Sequence, residues 1–186
     1  ITPMMHLAPD DPAWKQRALR LAELMETLWT GRNERGQLQF KSTYFSSEVV
    51  DTSLHRACDT IYHPRAVQPT LLYWQRTQDP GLTKLFGAWM DTWVDAAARG
   101  DRGKPVGVVP SAIHFPEGDI GGVGENWWLP EIKGEVFRWP SHMRMMTSTL
   151  LLTSHVTGDR KYLAPIESMA EIRADYLANP VDDPAP

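Results

Sequence analysis

Carboxylates crowd one stretch of this sequence. Glu117, Asp119, Glu125 and Glu131 fall within Gly100–Pro140, beside Asn126 and the adjacent pair Trp127 and Trp128. Glycoside hydrolysis needs one protonated and one ionised carboxyl group across the scissile bond. A sugar ring has an apolar face that stacks on a flat indole. Glu117 and Glu125 are therefore candidate catalytic groups, and Asp119, Asn126, Trp127 and Trp128 are candidate substrate contacts. The alternative is that these acids cap turns and solvate a loop. Glu117-Gly118-Asp119, followed by Ile120-Gly121-Gly122, could equally supply oxygens to a hard cation such as calcium.

A second group combines Tyr44, His55, Arg56, Tyr62, His63 and Arg65 with His114. Eliminative cleavage of a uronate needs a base at C5, an acid for the leaving oxygen and a group that neutralises the carboxylate. Tyrosine or histidine serves the proton transfers, and arginine serves the neutralisation. Tyr62, His63 and His114 are thus candidate catalytic residues, and Arg65 is a candidate substrate contact. The competing reading makes the tyrosines packing groups and Arg65 half of a surface ion pair. His55, His63, His114 and His142 include no close His-x-His or His-x3-His pair, so no metal is expected. Gly121-Gly122-Val123-Gly124 lacks the strand-to-helix context of a nucleotide loop, and no cofactor is expected. Cys58 stands alone, reads as a small buried residue, and excludes an internal disulfide.

These groups need a scaffold, and composition limits it. With 186 residues the chain can bury the core of one domain. A net charge of -4 without any Lys/Arg run points to neither nucleic acid nor an anionic membrane. The densest apolar run, Met143–Val156, is interrupted by Arg144 and several Ser/Thr residues, so it is no membrane span.

Helical periodicity supplies the frame. Asp11-Pro12 opens a helix with Trp14, Ala18, Leu21, Met25 and Leu28 on one face, ending at Gly31. A short strand is expected within Leu38–Phe45, a short helix over 54–62, and a helix over Thr70–Thr77. A long helix follows Pro80, with Leu82, Leu85, Phe86, Trp89 and Trp93 as its core face. Ser141 is read as the cap of a helix over His142–Val156, and another helix covers Arg160–Ala178. Gly100–Pro140 is expected to be an ordered irregular loop.

The turns repeat. Thr77-Gln78-Asp79 and Thr157-Gly158-Asp159 lie 80 residues apart, and His6 aligns with His155 as a packed structural histidine. Helix, tight turn, helix and long excursion is a hairpin array, which puts residues 31–69 and 100–140 on one rim. The phrases GKPVGVVPSAIHFPEGDIGG, NWWLPE and LLLTSHVTGDRKYLAPIESM resemble the α/α-toroid superfamily of six-hairpin glycosidases and toroidal polysaccharide lyases. That resemblance implies an all-α fold, helical hairpins of an (α/α) toroid or partial toroid with two long loops on one rim.

A full toroid needs more helices than 186 residues provide. Residues 1–186 are therefore expected to be one α/α-hairpin domain of a larger toroid. Met4, Met5 and Leu7 would then be covered by the remainder of the protein or by a homo-oligomer partner. The implied function is that of a polysaccharide lyase or glycoside hydrolase, or a piece of one, acting on an oligo- or polysaccharide. Such a protein is expected in the periplasm or outside the cell. The alternative is a non-catalytic carbohydrate- or protein-binding helical module.

Overall fold

The computed structural model describes residues 2–53, 55–121 and 143–179, without the side chains of Thr2, Met4 and Tyr176. Helices α1 (Thr2–Leu7) and α2 (Pro12–Leu24) open the described chain. Asp11 caps α2 as its sequence dictates, its carboxylate accepting the Ala13 N–H at 2.9 Å. The periodicity predicts helix as far as Gly31, but α2 instead widens into a π-turn over Met25–Trp29. Thr30 ends it by donating its hydroxyl to the Met25 carbonyl at 2.7 Å. Trp29 meanwhile donates its indole N–H to the Ser46 carbonyl.

A two-residue turn joins α3 (Gln68–Thr77) to α4 (Pro80–Ala98). Gln78 adopts the left-handed conformation that closes α3, and Asp79 caps α4 through the Leu82 N–H at 3.0 Å. Gly158, at φ 73°, and a 3-10 turn over Arg160–Leu163 connect α5 (Arg144–Thr157) to α6 (Ala164–Ala178). Helix α4 is central and packs on both α5 and α6, while α3 touches α1, α2 and α5. Leu82, Phe86, Trp89 and Trp93 are buried as the spacing predicts, and Leu85 is partly covered. Met5 is buried in the α1 layer against α3, whereas Leu7 remains exposed. No helix among the described residues is long and apolar enough to cross a membrane.

The excursions between helices correct the all-α expectation. Strand β1 (Thr30–Arg32) pairs antiparallel with β2 (Leu38–Phe40), Thr30 opposite Phe40. A second sheet orders β3 (Cys58–Thr60), β4 (Ala112–His114) and β5 (Ile120–Gly121), all antiparallel. The fold is therefore mixed α/β and not an all-α toroid. Residues 54–62, expected to be helical, contain β3. Asp59 and Thr60 favour non-helical backbone, and the Ala112–His114 strand supplies the partner that a local reading cannot see. Gln39, fully buried, ties the two sheets by donating its amide to the Ile113 and His114 carbonyls at 3.1 and 3.2 Å.

Lys104 closes the C-terminal end of α4. Its ammonium is buried and donates to the carbonyls of Ala97, Pro105 and Val108 at 2.9, 3.0 and 2.7 Å. Burial, with the Arg99 charge, pulls its pKa down to about 8, and Asp101 opposes them. The group therefore still carries its proton at neutral pH. Lys104→Met should orphan three carbonyls and cost about 1–3 kcal/mol, read as a lowered midpoint in urea. The folded pKa lies below that of the unfolded chain, so this lysine's contribution improves as pH rises from about 8 toward 10.5. The Met variant should lack that rise.

Candidate functional site

The pairing of β3 with β4 brings the two excursions together, placing Cys58 opposite His114. Tyr62 is exposed just before a 3-10 turn, His63–Arg65, and Arg65 is exposed at its end. His63 itself is only 2% exposed. Its Nδ1 accepts the Thr60 amide N–H at 2.7 Å and its Nε2 donates to the Ser42 carbonyl at 3.0 Å. The ring packs on Phe40 and Phe45. Both nitrogens are thus engaged by backbone, and His63 holds the two parts of the excursion together.

His114 is half-buried and lies against Gly121, where even a β-carbon would collide with the imidazole at Nε2. Glu117 and Asp119 are exposed on the turn linking β4 to β5, so one hairpin carries His114 and both acids. Tyr44 packs under the Arg56 guanidinium at 5.3 Å, and Arg56 pairs with Asp51 at 3.1 Å. His55, His6 and His155 are exposed, which corrects the reading of the last two as packed. Cys58 is half-buried, and burial pushes its thiol up to about 11, so it is not a thiolate nucleophile. Glu125, Asn126, Trp127, Trp128 and Glu131 lie outside the described residues. Among the described residues, no three His, Cys, Asp or Glu side chains converge as metal ligands would.

Of the described sequence candidates, Arg65 alone lines a groove between helices. This groove, of about 380 Å³, runs between α3 and α5. Its floor is aliphatic, with Leu71, Leu72 and Leu152. Its walls carry Gln68, Gln75 and Ser148, and its charged groups are Arg65 and Arg144. His6 closes one end, its Nδ1 accepting from the Arg76 guanidinium at 3.2 Å. No Asp or Glu lines it, and neither Arg65 nor Arg144 has an ion-pair partner among the described residues.

Sequence reasoning missed Arg144 and His6 as groove residues because α3 meets α5 only through long-range packing. A signal was present. Gln68 and Gln75 are seven apart and Arg144 and Ser148 four apart, so each pair shares a helix face. No family model, curated protein or solved structure matches the chain.

Proposed function

We propose that this chain is a carbohydrate-active protein whose ligand is an acidic oligosaccharide held between α3 and α5. The observation that carries this reading is the pair of guanidiniums, Arg65 and Arg144, which have no ion-pair partner among the described residues, in a groove whose described lining contains no carboxylate. A guanidinium binds a carboxylate through two parallel hydrogen bonds, so two of them suit consecutive uronate units. Gln68, Gln75 and Ser148 supply the neutral donors and acceptors that sugar hydroxyls require. The leucine floor offers apolar surface to the C–H face of a ring. At about 380 Å³ the groove accommodates a short segment of such a chain.

Binding is the first reading, and one observation favours elimination over hydrolysis as its chemistry. Hydrolysis calls for two carboxyl groups, and the described lining has none. It has cations to neutralise a uronate and the imidazole of His6. With Nδ1 accepting from Arg76, the Nε2 side of the His6 ring is left to donate a hydrogen bond to a ligand.

The test is calorimetric titration with hexagalacturonate and with a neutral hexasaccharide of glucose. The acidic ligand should bind, more weakly as salt rises, and the neutral one should not. Equal binding of both, or binding of neither, would refute the reading. A rise in ultraviolet absorbance from unsaturated uronate ends would extend it to catalysis.

A further inference from the structure

The segment that leads into α3 is buried unevenly. Ile61 has no exposed surface, His63 is 2% exposed and Pro64 is buried. Tyr62 and Arg65 nevertheless face solvent, Tyr62 with 41% of its surface. Pro64 and Arg65 line the groove between α3 and α5, and the Tyr62 ring stands outside that lining.

The turn decides where these two side chains go. Tyr62 has helical backbone angles, φ -95° and ψ -11°, and its carbonyl accepts the Arg65 N–H at 3.0 Å. That bond closes a 3-10 turn, in which side chains three positions apart eclipse one another. The phenol of Tyr62 and the guanidinium of Arg65 are therefore neighbours on one side of the chain. Pro64 restricts the backbone between them, and His63 anchors it through the Thr60 amide and the Ser42 carbonyl. Ala66 continues the turn by donating its N–H to the His63 carbonyl at 2.9 Å. The backbone that carries the two outward side chains is thus fixed before any ligand arrives.

Among the described residues, the Tyr62 side chain makes no hydrogen bond or ring contact, and Arg65 has no ion-pair partner. Tyr44 is as exposed as Tyr62 but is already engaged. The Arg56 guanidinium lies over its ring at 5.3 Å, and Arg56 in turn pairs with Asp51. Tyr62 differs in presenting its ring beside a cation that faces a groove.

We infer that Tyr62 and Arg65 form one subsite for a single uronate, the phenol stacking on the C–H face of the sugar and the guanidinium taking the carboxylate at its edge. This subsite rests on the function proposed above and adds a preference for rings to a preference for charge. A uronate offers both contacts together, because its carboxylate projects from the rim of a ring whose face is apolar. Tyrosine supplies a broad amphipathic surface with few rotatable bonds, so little freedom is lost when a ligand lands on it. Its hydroxyl remains available to a sugar hydroxyl. Arg144 is then left for the next uronate along the groove. A polyanion without rings would meet the two arginines and gain nothing from Tyr62, so this residue selects sugars among acidic ligands.

Hexagalacturonate titrations of the full chain, Tyr62→Ala and Tyr62→Phe over a range of salt concentrations test the subsite. Tyr62→Ala should bind about fivefold more weakly than the wild type, the scale of one aromatic face. Tyr62→Phe keeps the face and should bind nearly as well as the wild type. The lost contact carries no charge, so the Ala variant should keep the wild-type salt dependence. An Ala variant with wild-type affinity overturns the subsite. So does a loss accompanied by a flattened salt dependence, because the ring would then act only by placing Arg65. A Phe variant as weak as Ala would show that the hydroxyl binds and the face does not, which overturns the stacking.

Should Tyr62→Ala fail to fold, the wild type still decides. With ring-labelled tyrosine, nuclear Overhauser contacts are expected between the Tyr62 ring protons and the C–H protons of bound hexagalacturonate. Bound ligand without those contacts refutes the stacking. A wild type that binds no hexagalacturonate at any salt concentration refutes the groove reading, and the subsite with it. Wild-type binding to which Tyr62 contributes nothing refutes the subsite alone.

Discussion

Trp89→Ala is expected to destabilise the protein by about 3–5 kcal/mol, a large fraction of the roughly 5–15 kcal/mol that holds a typical domain folded. Trp89 has no exposed surface and packs edge-on against Phe40 at 5.0 Å and beside Phe86 at 6.3 Å. Truncation opens a cavity between α4 and β2. It also removes the 2.7 Å indole bond to Asp59, leaving the Trp93 indole and the Phe40 amide to hold that oxygen. Trp89→Phe retains much of the ring volume while losing the N–H. It should cost about 1–3 kcal/mol, the usual range for a buried group left short of a partner. Urea denaturation of both variants separates the cavity from the hydrogen bond. An Ala variant that melts within a degree or two of wild type would show that Trp89 is not central to the core.

Much of the helical frame is legible in single residues. Asp11-Pro12 and Asp79-Pro80 each place a capping carboxylate before a proline, and α2 and α4 start there. The Leu82, Phe86, Trp89 and Trp93 stripe marks the buried face of α4 because helical spacing depends only on neighbours in sequence. The strands are another matter. β3 and β4 have three residues each and are separated by more than fifty positions, so nothing local distinguishes them from loop or short helix. Their pairing is a property of the folded chain. That is why 54–62 reads as helix and why Gly100–Pro140 reads as irregular.

The candidate site divides along the same line. Arg65 could be singled out by type, and it lines the groove. His63 could also be singled out, but only the structure shows backbone on both its nitrogens. Asp59, four residues before His63, cannot be read from sequence as a buried acceptor. The indoles it binds on α4 enter from thirty or more positions away. The groove depends on α3 meeting α5, and helix faces seen one at a time do not announce their partners.

The central claim is that Arg65 and Arg144 together make the groove an acidic-saccharide site. Hydrogen bonds to charged groups are worth about 1.5–3 kcal/mol each. Both side chains belong to exposed residues, so screening by solvent brings this nearer to about tenfold in affinity apiece. The most direct measurement is the dissociation constant for hexagalacturonate at low salt in the wild type, each Arg→Gln variant and the Arg65→Gln, Arg144→Gln pair. Thermal melts alongside confirm that all four proteins are folded. The account predicts roughly tenfold weaker binding for each single variant, about a hundredfold for the pair, and a flatter salt dependence in the pair. A folded double variant that binds hexagalacturonate as tightly as the wild type, with the same salt dependence, would contradict it.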